Sequence, residues 1–429
     1  MATNDRNSPA LTTWKEIAEY LGISQRTAQN WAKEKGLPVK HLPGPRGRVL
    51  ADPLELENWK KTAVLIHENG RTAWYASVRF LRSYALVLTA LALIALAISA
   101  RSYLAAGKPG PPAGYHFDYK TFVATDSAGN IVWKAPLPEP VYAPHYVPEP
   151  TARPPVWFGD LNGDGRTETL LLYDPINRHE AGCTLICFSD KGRELWHFAT
   201  NGTVSDLERT FSPPFLIANF MVADPDKDGR NEILVTSHHF SDYPNQFVIL
   251  DHDGNVTGEY WHSGFLGLID TMDLDQDGVD EILLADVNNG YKSATLVVLD
   301  PRKVAGASSQ PAGDVHQLQG FMRGSEKAVV LFPRSCINQK IDDYDVTGLM
   351  SVHGGTIRIE TVEKKDDLGC RITYVLDGNL TVIDIQASDR FRAVHRELAL
   401  SGTLDHSFSD QELQELKKGV RVIRNASVK

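Results

Sequence analysis

Three short stretches repeat one spacing of oxygen-bearing side chains: Asp160, Asn162, Asp164 and Glu168; Asp224, Asp226, Asp228 and Glu232; Asp273, Asp275, Asp277 and Glu281. Side chains at the first, third, fifth and ninth positions can wrap a hard cation together with the backbone carbonyl of the seventh, here Arg166, Arg230 and Val279. The glycine at the sixth position (Gly165, Gly229, Gly278) allows the sharp turn this requires. Calcium is the expected ion. Asp and Gly also favour plain turns, but several carboxylates gathered at one point oppose each other's ionisation, a cost that a bound cation removes.

An EF-hand shares the first half of this pattern but needs a carboxylate at the twelfth position, where the chain has Leu171, Val235 and Leu284. The segments after the loops, TLLLYD, ILVTSH and ILLADV, read as buried strands rather than helices. A second period runs beside the first. Turns at Asp126–Gly129, Asp190–Gly192 and Asp253–Gly254 lead to Trp133, Trp196 and Trp261, in step with the acidic loops. The interval from Asp224 to Asp273 is shorter, so one repeat lacks an insertion. Beyond Pro301 the acidic loop disappears, while TIRIET, ITYVLDG and LTVIDI still read as strands. Calcium loops that feed strands in this way resemble the FG-GAP/VCBS repeats of integrin-α-like β-propellers, although clear FG and GAP tripeptides are missing. The resemblance implies an all-β, propeller-like, calcium-binding domain over 156–390.

The N-terminal part has a different chemistry. Thr13 and Glu16 have the form of a capping box, and Trp14, Ile17, Ala18 and Leu21 follow on one helical face. Gly22 ends that helix and Ser24 caps the next, whose apolar positions are Ala28, Trp31 and Ala32. Its other face offers Gln25, Arg26, Gln29, Asn30 and Lys33, types that hydrogen-bond to base edges and phosphates in a major groove. Residues 37–51 read as a hairpin whose Pro/Gly tip carries Arg46 and Arg48, and Asp52-Pro53 opens a third helix with Leu54 and Trp59 as core positions. The run WKEIAEYLGISQRTAQNWAKEKGLP, then RGRV and a short helix ending in Trp, resembles the winged helix-turn-helix of the MerR and phage-excisionase superfamily, which implies a duplex-DNA-binding domain over 1–62. A homodimer follows if each copy reads one half-site.

Between these parts, Ser83 to Ala100 carries no charge and is bracketed by Arg82 and Arg101. As a helix it would be about 27 Å long and apolar all round, as a membrane span requires. Residues 1–82 hold 13 Lys+Arg against 8 Asp+Glu, a net of +5, which leaves −15 of the total −10 for the remainder. The basic half suits a polyanion and the acidic half suits cations. The flanking charges favour the N-terminus inside, and the helix-turn-helix resemblance implies a bacterial chain, so the expected location is the cytoplasmic face of an inner membrane with the C-terminal domain periplasmic or extracellular. The expected organisation is multidomain: a small α-rich winged helix-turn-helix at 1–62, a juxtamembrane linker at 63–82, a single transmembrane helix at 83–101 and a Pro-rich linker with one strand at 102–155. The all-β repeat domain at 156–390 and a C-terminal segment with a short helix at 391–429 complete it. Cys183, Cys187, Cys336 and Cys370 all lie in the acidic half, where buried thiols and disulfides both remain open. No protease, hydrolase or nucleotide fingerprint is present, so no enzyme is expected. Two function classes stand: a one-component regulator that senses an extracytoplasmic protein or glycan ligand, and an adhesion or scaffolding protein with a tethering cytoplasmic domain.

Overall fold

The computed structural model describes residues 9–43, 48–62, 88–97, 109–147, 154–240 and 243–424. The chain divides into two compact units, 1–107 and 108–429.

In the first unit, helix α1 (Trp14–Leu21) starts at Thr13, whose hydroxyl accepts from Glu16 N at 3.2 Å, and stops at Gly22 in the left-handed region (φ 68°). The Glu16 carboxylate reaches back to Thr12 N, at 2.7 Å, rather than to Thr13 N. Helix α2 (Gln25–Glu34) is capped by Ser24, which accepts from Thr27 N. Strands β1 (Lys40–His41) and β2 (Val49–Leu50) pair as the expected hairpin, and helix α3 spans 53–62. Ile17, Ala18, Ala28, Leu37, Val49, Ala51 and Leu56 form the core, with Trp31 packed on Trp59 at 5.7 Å. Leu54, expected in that core, is 72% exposed, and Leu56, about 200° round the helix from it, is buried instead.

Of the apolar run 83–101, the described part is helix α4 over 88–97, and the rest lies outside the described residues. All of α4 is exposed, including Leu88, Leu91, Leu93, Ile94 and Leu96. At about 1.5 Å per residue it is roughly half the thickness of a hydrocarbon core. No helix among the described residues is long and apolar enough to cross a membrane.

The second unit is a succession of antiparallel sheets, each built on a meander of strands consecutive in sequence, to one of which the C-terminal strand is added. The first sheet is β3 (Gly114–Asp118), β4 (Thr121–Thr125) and β5 (Ile131–Pro136); the second is β6 (Val156–Gly159), β7 (Glu168–Tyr173), β8 (Thr184–Phe188) and β9 (Glu194–Phe198). Short helix α5 (Arg178–Ala181) and a hairpin of β10 (Val204–Ser205) and β11 (Thr210–Phe211) fill the longer repeat interval. The third sheet is β12 (Phe215–Ala223), β13 (Glu232–His239), β14 (Asn245–Leu250) and β15 (Val256–His262). The fourth is β16 (Gly264–Met272), β17 (Glu281–Asn288), β18 (Ser293–Leu299) and β19 (Glu326–Leu331). Helix α6 (Cys336–Ile341) leads to the fifth: β20 (Val346–His353), β21 (Thr356–Val362), β22 (Arg371–Leu376) and β23 (Val382–Ala387). Helices α7 (Asp389–Leu400) and α8 (Asp410–Gly419) follow, and β24 (Arg421–Arg424) returns to pair with β19.

Side chains alternate across a strand, which explains why the middle strands are apolar throughout. Leu170 and Leu172 pack toward the third sheet while Leu171 packs toward the first. Ile233 and Val235 face the second sheet and Leu234 the fourth; Leu283 and Ala285 face the fifth and Ile282 and Leu284 the third. Strand β16 touches both β12 and β20, each the first strand of its sheet, as neighbouring inner strands of a propeller do. The fifth sheet shows true alternation: Ile357, Ile359, Ile372 and Tyr374 are buried against the fourth, and the opposite face carries Glu360 paired to Arg358 and Arg371.

Several sequence expectations change. The stretch 102–155 was expected to hold one strand but contains a whole three-stranded sheet, because its prolines lie mainly outside β3 to β5. The segment 391–429 holds two helices and a strand, with Phe391, Val394, Leu413 and Leu416 packed into the core of the fourth and fifth sheets. All four cysteines are free. Trp133 and Trp196 are equivalent, each one pair inside its hairpin, but the matching position in the third sheet is Gly258, not Trp261. The equivalence has a function. Each ring rests on the turn glycine of the next sheet, so that a Cβ at Gly192 or Gly254 would lie 2.6 Å from Trp133 or Trp196.

Candidate cation sites and nucleic-acid interface

The three acidic loops occupy one topological place, the connection between the first and second strands of the second, third and fourth sheets. The ninth-position glutamate is in each case the first residue of the second strand, so the sheet itself fixes it. The sixth-position glycines have φ of 82°, 88° and 89°, and their N–H groups donate to the first-position aspartates: Gly165 to Asp160 at 2.8 Å, Gly229 to Asp224 at 3.0 Å and Gly278 to Asp273 at 3.1 Å. In the first and fifth sheets the connection between the first and second strands is a short turn without acids, at Tyr119-Lys120 and Gly354-Gly355.

Carboxylate oxygens converge to within 4.8 Å in each loop: Asp160, Asp164 and Glu168; Asp224, Asp226 and Glu232; Asp273, Asp275 and Glu281. Asn162 supplies its amide oxygen to Asp164 N at 3.0 Å. Asp228 and Asp277 stand outside the converging sets, and each accepts from its seventh-position N–H, on Arg230 or Val279, as Asp164 does from Arg166.

The loops differ in how their charge is met. Glu168 accepts from Leu161 N at 3.0 Å and Glu281 from Leu274 N at 2.8 Å. In the second loop that second position is Pro225, which has no N–H. Glu232 Oε2 is accordingly buried without a hydrogen-bond partner, as is Asp224 Oδ1. Burial, reinforced by Asp226, Asp228 and Asp224, pushes the Glu232 carboxyl up to about 7. Glu168 is also raised, first by burial. In the third loop an ammonium already stands among the carboxylates: Lys327 Nζ is 2.7 Å from Asp275 Oδ2 and 2.5 Å from Glu281 Oε1, and Arg302 pairs with Asp277 at 3.1 Å. Neither Lys327 nor Arg302 was visible as a partner in the sequence. The loops are also joined. Asn231 of the second donates to Asp160 O of the first at 3.2 Å, and Asp280 N of the third donates to Pro225 O of the second at 2.8 Å.

In the first unit, Gln25, Arg26, Gln29, Asn30 and Lys33 are all exposed on α2, while Ala28 is its buried residue. Arg48 is exposed at the base of the hairpin, and Arg46 lies outside the described residues.

Residues 13–62 match a family of helix-turn-helix domains. No curated protein matches the chain. Among solved structures, the chain is similar to the V. cholerae biofilm matrix protein Bap1, with 18% identity and a TM-score of 0.28 over 63% of this chain and 43% of Bap1. It is similar to the Dos1 propeller, with 10% identity and a TM-score of 0.32 over 64% of this chain and 66% of that one. For the exotype rhamnogalacturonan lyase YesX the values are 16% and 0.28, over 61% of this chain and 48% of the lyase. At these scores the superpositions decide nothing, and the propeller-like description rests on the sheet order. The chain thus joins a helix-turn-helix domain to a large β-repeat unit bearing acidic clusters able to hold ions.

Proposed function

We propose that the protein is a membrane-anchored one-component regulator: the helix-turn-helix binds duplex DNA in the cytoplasm, and the repeat unit binds calcium and a protein or glycan ligand on the other side of the membrane. The observation that carries the DNA half is the all-polar exposed face of α2 beside a basic hairpin, within a domain matched to helix-turn-helix proteins. A helix-turn-helix scaffold needs Ala28 and Trp31 to fold, but has no structural use for Arg26, Gln29 and Lys33 on the outer face. The membrane half is supported by α4, whose Leu88, Leu91, Leu93, Ile94 and Leu96 are exposed among the described residues. Calcium is supported by oxygen-only donor sets and by the unpartnered oxygens of Asp224 and Glu232. The third loop must displace Lys327 to admit an ion, so it is the weakest of the three.

Fluorescence anisotropy of the detergent-purified full chain on duplex DNA tests the reading. Affinity should fall steeply with salt through counterion release, and Arg26→Ala and Arg46→Ala should each weaken binding and flatten that slope by about 1. Absence of any DNA association at low salt refutes it. Protease shaving of spheroplasts should remove the repeat unit and spare the first unit. Chromatin immunoprecipitation with and without the repeat unit separates regulation from tethering, since discrete promoters belong to the first and diffuse signal to the second.

A further inference from the structure

A second kind of donor cluster lies in the C-terminal segment, away from the acidic loops. Cys336 begins α6, His395 lies in α7, His406 in the connection that follows and Glu412 in the first turn of α8. Their donor atoms all fall within 4.8 Å of one another. Cys336 Sγ is 2.9 Å from Glu412 Oε1, while His395 Nε2 and His406 Nε2 are 3.3 and 3.8 Å from Glu412 Oε2. Ligands at zinc bond lengths on a tetrahedron are separated by about 3.3–3.8 Å, the range of the two histidine–Glu412 contacts, and all four donors lie within 4.8 Å of one another.

We propose that Cys336, His395, His406 and Glu412 form a closed tetrahedral site for a zinc-type dication. Three observations support it besides the convergence. His395 is fully buried, yet neither of its ring nitrogens nor Glu412 Oε2 makes a well-formed hydrogen bond, although His395 Nε2 stands at ion-pair distance, 3.3 Å, from that oxygen. A buried imidazole and a carboxylate oxygen left in this state cost free energy that a shared cation recovers. His406 Nδ1 is held by Asp405 Oδ1 at 2.8 Å, which leaves Nε2 to face the cluster, the arrangement by which an outer carboxylate orients a metal-bound histidine. Phe391 and Phe408 pack against His395, shielding that side of the site from water.

A metal-free hydrogen-bonded cluster explains less. The Cys336 thiol satisfies one oxygen of Glu412, but the His395 Nε2 and Glu412 Oε2 that face each other at 3.3 Å make no hydrogen bond of good geometry. The donor set of one sulfur, two imidazole nitrogens and one carboxylate is a poor match to calcium, which takes oxygen, and a good one to zinc. With four protein ligands the site has no open position, so its role is structural. It pins α6, α7 and α8 together where they pack against the fourth and fifth sheets. Binding displaces the thiol proton, so affinity rises with pH.

The test uses the detergent-purified full chain, reduced with a phosphine and stripped with chelator, then titrated with zinc and separately with cobalt. The expected result is one tightly held zinc that excess calcium does not displace. Cobalt should give tetrahedral visible bands and a sulfur-to-cobalt charge-transfer band. Cys336→Ser should remove the charge-transfer band. His406→Ala, at an exposed ring, should lower zinc affinity by at least about tenfold, and Asp405→Asn should lower it by about tenfold. The proposal is overturned if the wild-type chain gives no cobalt spectrum. It is equally overturned if that spectrum is unchanged in both Cys336→Ser and His406→Ala.

Discussion

In the second acidic loop, Asp224 Oδ1 and Glu232 Oε2 are buried with no donor, whereas in the third Lys327 Nζ lies between Asp275 and Glu281. The two loops share spacing, turn and place in the sheet, so the difference arises outside the motif. One residue, Pro225 in place of Leu161 or Leu274, withdraws an N–H from the ninth-position glutamate. Another, Lys327 on β19, supplies a cation from 46 residues away in sequence. A motif defines where oxygens gather, and its surroundings decide whether the neutralising charge is an ion or a side chain.

The largest effect that would break this contrast is expected at Lys327. Lys327→Ala leaves Glu281 buried without its cation, and should destabilise the calcium-free protein by about 3–5 kcal/mol. Denaturant melts should show calcium restoring much of that loss, with one more ion bound than in the wild type; unchanged melts would mean that the ammonium does not neutralise the loop. Next, Asp224→Asn with Glu232→Gln should abolish the main calcium-dependent rise in stability. That rise is about 2.7 kcal/mol when calcium is a hundredfold above its dissociation constant. Asp275→Asn should leave it nearly intact, and an equal loss in both variants would erase the distinction between the loops. Smaller again, Gly229→Ala should cost about 1–2 kcal/mol from its left-handed backbone alone, since open space surrounds the position.

The last difference is one of pH. Glu232 is raised from 4.5 to about 7 in the folded protein, so between those values the folded state holds a proton that the unfolded state has released. Its contribution to stability without calcium is therefore present below about 4.5 and lost as pH rises through about 7. Thermal melts in chelator should show this loss in the wild type and not in Glu232→Gln. Calcium should reverse the trend, because the ion takes the deprotonated form.

Much of this was legible from spacing alone. The capping residues Thr13 and Ser24, the core positions Ile17 and Ala28 and the exposed row on α2 follow from local periodicity. The acidic loops and the strands after them were legible because their ligands are nearly consecutive. What could not be read depends on distant partners. The first sheet hides among prolines, and its strands are short and only partly apolar. Trp261 imitates the period of Trp133 and Trp196 although the register assigns the position to Gly258. Cys336 and Glu412 are 76 residues apart, and the donors between them follow no short motif.

Strand β24 gives the repeat unit its final safeguard. It covers the free edge of β19, where Ala328, Val329, Val330 and Leu331 present a row of amides and carbonyls along an apolar segment. An uncovered edge of that kind is a template on which a second molecule can add a strand. With β24 in place the outermost residues include Arg421 and Arg424, whose like charges repel a flat approach. Trimming the protein after residue 420 should thus convert a soluble rim into a nucleus for aggregation, even where the propeller-like sheets remain folded.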